Sequence, residues 1–475
     1  MNTSRTHFPA KSLLVLAISG ALVACGGSSS SKKDEHDHQH DHDDHAGRLL
    51  FSVNNNDTLF VYDEAENEFD DIGRVTDKAA TLVLADNGLS AAVLAGTSLN
   101  IVFSGLHDDE HDHDEEHGHD DEHDHDEEHD HDEEHGHDEE HDHDEEHDHD
   151  EEHDHDNEHD HAELLAITLD SVTKVIATRG HFSALSNGAT QLLNSDDIEN
   201  PMLAFETAIT TPASQTYPGI VLDAEHRVFF ADNNAYVYDG MDEEATLACA
   251  NPTHHAEAGE LTVINCGGTA KYVVLEAHGN HHHIYTGDVA DLSATNLTNL
   301  TSNGHDIVAW TSSNAWIIAM DEHDDSHTHD MVSIQAANDS LTVEASALTL
   351  PALNDASICQ AAFATEDKDT LGVLTSNGRL HLINVEDDKK NRTLELDNTN
   401  TDCNSWHLAA GAEAFLVANT VESKLYLIDA HDGPYHIHSR INDSRISELA
   451  HMVYMHVSHD DHDDHDHDDH SGHDH

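Results

Sequence analysis

Between positions 111 and 158 the sequence repeats one unit, His-x-His-Asp-Glu-Glu. It begins at His111, His117, His123, His129, His135, His141, His147 and His153, with only Gly118, Gly136 and a few Asp, Glu or Asn exchanges interrupting it. Imidazole nitrogens and carboxylate oxygens are ligands for borderline divalent cations, chiefly Zn2+, with Ni2+ and Cu2+ competing by affinity order. His-x-His supplies two nitrogens, and a neighbouring repeat supplies a third or fourth ligand. No cage is preformed, so each such site costs ordering entropy and is expected to be weak and quick to exchange. That suits collection and transfer better than a structural metal. The surrounding acids favour imidazolium, so protons compete with metal and capacity is expected to fall as the pH drops. The candidate ligands at the start of this stretch are His107, His111, His113, His117 and His119.

Three shorter tracts share this composition, at 34–45, 321–330 and 459–475. Together with 107–161, the two terminal tracts hold 31 of the 51 histidines. The long tract contains no lysine, no arginine and no apolar side chain, so it cannot bury a core and is expected to be disordered. The formal charge of −79 repels nucleic acid and anionic lipid and attracts cations, so nucleic acid is excluded as a partner. A charged spacer would account for the acids but not for the histidines, which add little charge.

At the N-terminus, Arg5 and Lys11 precede the apolar run "SLLVLAISGALVA", which is too short for a permanent membrane span. It ends in "LVAC" and is followed by "GGSSSSKK". This resembles a bacterial lipoprotein signal peptide in which Cys25 becomes the lipidated first residue. The resemblance implies a periplasm-facing protein with a lipid anchor. Gly26, where inner-membrane retention typically uses aspartate, points to the outer membrane. The remaining cysteines, Cys249, Cys266, Cys359 and Cys403, are even in number, and in an oxidising compartment they are expected to form disulfides. The 249–266 spacing suits a local bridge, which leaves 359 with 403. A thiolate metal site is the alternative, although no two of these cysteines form a close pair.

Outside the tracts the character changes. Short β-branched and aromatic runs recur, among them "RLLFSV", "TLFVYD", "LNIVFS", "RVFFAD", "NAYVYD", "KLYLID", each bounded by Gly, Asn, Asp or Ser. No sustained helical period follows the signal segment. A unit of about forty residues with several strands reads as a β-propeller, an all-β fold of about eight blades, or seven. "LAHMVYMHV" near the C-terminus is expected to close the ring on the first blade, and the long tract to be a loop between two strands of one blade, since closure entropy grows only logarithmically with length. The expected organisation is therefore a signal peptide at 1–24, a lipidated cysteine and His/Asp-rich linker at 25–46, a propeller at 47–458 carrying the loop at 107–161, and a tail at 459–475.

A second class of histidine lies within the strand pattern: His181, His254, His255, His278, His281, His282, His283, His305 and His407. Several precede or begin strands that would face a propeller channel, where ligands from different blades can converge. Four short motifs add to this: "SGLHDDEHDHDEEHGHD", Gly180-His181-Phe182, Cys249 followed by His255, Glu257 and Ala258, and Cys403 followed by Trp406, His407 and Ala409. On these motifs the stretch from 45 to 458 resembles the periplasmic zinc metallochaperones of the AztD type. These are β-propellers that pass zinc to the solute-binding protein of a zinc ABC importer. The resemblance implies Zn2+ as the ion, that importer protein as the partner, and a channel site made by His181, His255 and His407 with His107 or His111 completing it. The hexad repeat overwrites the compact loop motif, and a lipid anchor would tether what resembles a soluble carrier. Buffering without a transfer partner is the alternative function. There is no Gly-x-Ser-x-Gly and no His-Glu-x-x-His, so an enzyme is not expected.

Overall fold

The computed structural model describes residues 47–106, 161–195, 206–207 and 214–457, apart from 168, 170, 279–280, 293–295, 320–340, 365–368, 397–401, 413 and 431–433. Its strands form eight four-stranded antiparallel sheets, the blades of a propeller, as the sequence pattern predicts. Blade 1 combines 48–74 with the C-terminal strand Leu449–Met455, and blades 2 to 8 follow at 81–166, 172–207, 217–248, 252–288, 299–347, 358–395 and 406–442. The expected closure is present: Leu449–Met455 pairs with Arg48–Val53, with Met452 opposite Phe51. Three short 3-10 turns are the only helical elements among the described residues, none of them long enough to cross a membrane.

The strands form where the sequence places period-2 apolar runs between tight turns. In "VFFADNNAYVYD", Asp232 and Asn233 both have positive φ, 52° and 63°, the two-residue hairpin geometry that short polar side chains tolerate. Asn187 and Gly188 do the same in blade 3, at 52° and 74°. Eight buried apolar clusters fill the seams between neighbouring blades. In one of them Leu416, Leu425 and Tyr454 join blade 8 to blade 1. Burial of such side chains contributes roughly 1.5–3 kcal/mol each, and it is this seam packing that holds the sheets in a ring.

The first strand of each of blades 2 to 8 is innermost, and in blade 1 the C-terminal strand Leu449–Met455 takes that place. These strands run side by side: Ala258 forms a parallel bridge with Gly304, and the Val221 amide donates to the Thr178 hydroxyl (3.1 Å). Because strands alternate in direction, the first-to-second and third-to-fourth connections of every blade fall on one face, here termed the turn face. The disulfides lie at the opposite face. Cys249–Cys266 joins blade 4 to blade 5 with a Cα–Cα distance of 4.8 Å, and Cys359–Cys403 joins blade 7 to blade 8 at 5.0 Å. Both pairings are those expected from the sequence.

Candidate metal centre

All four histidine tracts attach to the turn face. The tract at 107–161 leaves after Ser98–Phe103 and returns at Glu163–Ala166, the third and fourth strands of blade 2, where Phe103 pairs with Glu163. The tract at 321–330 falls between the equivalent strands of blade 6, whose paired ends are Ala319 and Glu344. The N-terminal tract precedes Arg48, and the C-terminal tail follows Met455; these two residues are themselves paired. Only the attachment points belong to the described residues: His107, His111, His113, His117, His119 and Cys25 lie outside them.

The structure places the three expected channel ligands on three blades. His181 opens the second strand of blade 3, and its Nδ1–H donates to the Arg179 carbonyl (2.9 Å), which leaves Nε2 as the ring nitrogen outside that bond. A ring fixed through one nitrogen by a main-chain carbonyl is a common arrangement behind a metal ligand. His255 lies on the innermost strand of blade 5, with Nε2 3.6 Å from Glu257 Oε1. Burial pushes His255 down to about 4, and the nearby Lys174 and His254 add to that, against a main-chain bond to Ala177. Burial pushes Glu257 up to about 7, opposed by Arg179 (Nε to Oε2 3.5 Å) and by the Thr178 hydroxyl that donates to Oε1 (2.8 Å). Lys174, pushed down to about 8 by burial, donates to the Thr253 carbonyl (2.7 Å) and sits 4.1 Å above the Tyr217 ring. These bonds run from blade 3 to blade 5 across the innermost strand of blade 4, Tyr217–Val221, which is buried throughout.

His407 lies on the innermost strand of blade 8, close to His451 on the innermost strand of blade 1. Burial pushes His407 down to about 4, with His451 adding to it. Both His255 and His407 are therefore neutral at pH 7, the form that binds metal. His305 is exposed in a turn, its amide donating to Asn303 Oδ1 (2.9 Å). Among the described residues, the groups of three His, Cys, Asp or Glu with ligand atoms within 4.8 Å of one another include none of His181, His255 and His407.

Those groups are Asp223–His226–His282 and Asp429–His436–His438. Both sit on the turn face. In the second, Asp429 ends the third strand of blade 8 and His436 and His438 open the fourth. Alternate positions on a strand share a side, and His438 Nδ1 lies 3.2 Å and His436 Nδ1 3.9 Å from the Asp429 carboxylate, with both rings about half exposed. "His436-Ile-His438" is a His-x-His inside a strand, a signal that the spacing makes readable but that is not among the candidates above. In the first group only His282 was singled out from sequence. Asp223 and His226 belong to an Asx-type turn in "LDAEHR", and nothing in the chain order links that turn to a hairpin more than fifty residues on.

Fold and geometry together define the class: an eight-bladed propeller with imidazole–carboxylate groups on one face. No protein-family model matches the chain, and no curated protein matches it. Among solved structures, it is similar in fold to apo AztD from Citrobacter koseri, with a TM-score of 0.56, 13% identity, and coverage of 87% of this chain and 99% of that one. A second crystal structure of Citrobacter koseri AztD gives a TM-score of 0.56 at 14% identity over 88% and 100%. At such identity the likeness is one of fold.

Proposed function

We propose that this protein is a periplasm-facing zinc-binding lipoprotein. In this reading it captures Zn2+ through its His/Asp-rich tracts, holds it in a propeller site, and passes it to the solute-binding protein of a zinc ABC importer. The observation that supports this best is topological: all four tracts attach to the face that also carries both three-ligand groups and His181. Weak, fast-exchanging ligands tethered beside firmer ones raise the local concentration of ion where it can be held. The channel ligands would be His181, His255 and His407, with His107 or His111 from the tract completing the set. His181 is fixed through Nδ1 by the Arg179 carbonyl, and His255 and His407 are neutral at working pH. The fold shared with AztD agrees with the motif resemblance to zinc metallochaperones.

Transfer is tested by mixing the zinc-loaded protein with the importer's binding protein. In parallel, the loaded protein is mixed with a chelator that reports free dissociation. The expected result is transfer faster than release to the chelator. Equal rates would leave only sequestration.

A further inference from the structure

We propose that Asp223, His226 and His282 form a further site, separate from the channel, that takes a Zn2+-class divalent cation at the seam between blades 4 and 5. One nitrogen of each ring and one carboxylate oxygen already lie within 4.8 Å of one another. Asp223 and His226 come from the first turn of blade 4, and His282 from the third hairpin of blade 5.

The carboxylate is prepared as an anion. Although burial opposes ionisation, Asp223 is held below the usual carboxylate range by the His226 amide (2.6 Å), the Glu225 amide (2.8 Å) and the His226 ring. His226 is only 3% exposed, and its Nδ1 lies 2.9 Å from both carboxylate oxygens. His282 closes the group from the next blade, its Nε2 3.8 Å from Asp223 Oδ2 and its ring centroid 4.8 Å from that of His226. Ligands about 2.05 Å from a tetrahedral zinc lie roughly 3.3 Å apart. The 2.9 Å separation must therefore open, and the 3.8 Å separation close, by a few tenths of an ångström.

Two imidazoles and a carboxylate favour zinc over the oxygen-seeking Mg2+ and Ca2+. Three protein ligands leave a fourth position open, the arrangement of a site that exchanges its ion rather than one that only ties the fold together. His282, with a third of its side chain exposed, gives that position a way in from solvent. On binding, Zn2+ replaces the proton that His226 Nδ1 shares with Asp223, and this proton is released or moves to Nε2. Arg227 donates to the main-chain carbonyls of Asp223, Ala224 and His226. At the far face the same two blades are joined by Cys249–Cys266, so the two halves of the site are carried on segments already fixed to each other.

The test is histidine footprinting of the full chain with diethyl pyrocarbonate, read by mass spectrometry during a Zn2+ titration, with Mg2+ as control. Zn2+ is expected to abolish labelling of His282, whose metal-bound nitrogen has no lone pair left for the reagent, while Mg2+ does not and the exposed His305 stays unchanged. Asp223→Asn, which keeps the shape of the turn, should abolish that protection. His282→Ala alters a partly exposed ring, and should remove one equivalent of tight zinc in chelator competition while leaving the melting transition cooperative. Labelling of His282 that does not change at saturating zinc would overturn the site. So would protection that survives Asp223→Asn. Because none of the three residues is His181, His255 or His407, failure here leaves the channel reading standing, and the reverse.

Discussion

Two imidazole–carboxylate pairs, His226 with Asp223 and His255 with Glu257, sit on neighbouring blades, and their carboxylates are shifted in opposite directions. At the rim, two main-chain amides point at Asp223 and keep it charged. On the innermost strand of blade 5, Glu257 receives the Thr178 hydroxyl, a main-chain bond from Arg179 and a longer approach from the Arg179 guanidinium, and burial still prevails, pushing it up to about 7. The channel also supplies its own cations, Arg179 and Lys174, whereas the rim presents a ready anion. Burial alone does not make a cation site. What decides is whether the hydrogen bonds to the carboxylate outweigh the water that it has lost.

The largest expected effect concerns the seam on which the rim pair depends. Replacing Cys249 and Cys266 by serine should cost about 3 kcal/mol, following the entropy of a loop of that length, measured by denaturant unfolding of the metal-free protein. Added Zn2+ should recover part of this if the rim group bridges the same blades.

The channel pair is sharpened by pH. His255 and His407 have folded values of about 4 against 6.5 when unfolded, so the unfolded chain binds more protons between those limits and stability rises with pH there. Glu257, raised from 4.5 to about 7, acts in the opposite sense, its contribution being lost as pH rises through that window. Two histidines against one carboxylate leave a net gain on the order of 2 kcal/mol between pH 4.5 and 6.5. Melting temperatures of the metal-free protein and of its His255→Gln, His407→Gln variant across that range check it, and a rise as steep in the variant as in the parent would contradict the buried, neutral state of the two histidines.

A direct contrast follows. At pH 6 Glu257→Gln should cost under about 1 kcal/mol, since the glutamate is already largely protonated. Asp223→Asn should cost about 1.5–3 kcal/mol, because it weakens hydrogen bonds to a charged acceptor. Equal costs would erase the distinction between the two pairs. The smallest effect belongs to His305→Ala, which should stay within about 0.5 kcal/mol, as expected of an exposed turn residue.

Much of this architecture is legible in the sequence, for definite physical reasons. Apolar alternation and Asn/Asp turns identify the strands and bring the propeller within reach, and "LAHMVYMHV" announces the closure that Leu449–Met455 makes. The tracts reveal their chemistry because composition alone specifies it. What sequence does not reveal is anything that depends on which blade lies beside which. Asp223 and His282 meet only because blades 4 and 5 are adjacent, and His255 is kept neutral partly by Lys174, which reaches it past an intervening blade. His436 and His438 were legible by their spacing, but short His-x-His runs are so frequent in this chain that the one on a strand did not stand out.

Whether the propeller itself holds metal separates a carrier from a mere platform for the tracts. The most direct test is a zinc competition titration of the mature protein beside a form lacking residues 107–161. The prediction is that the shortened form loses the weak sites and still competes with a chelator for zinc at sub-micromolar affinity. If all zinc binding disappears with the tract, the propeller is only a platform and the central claim is wrong.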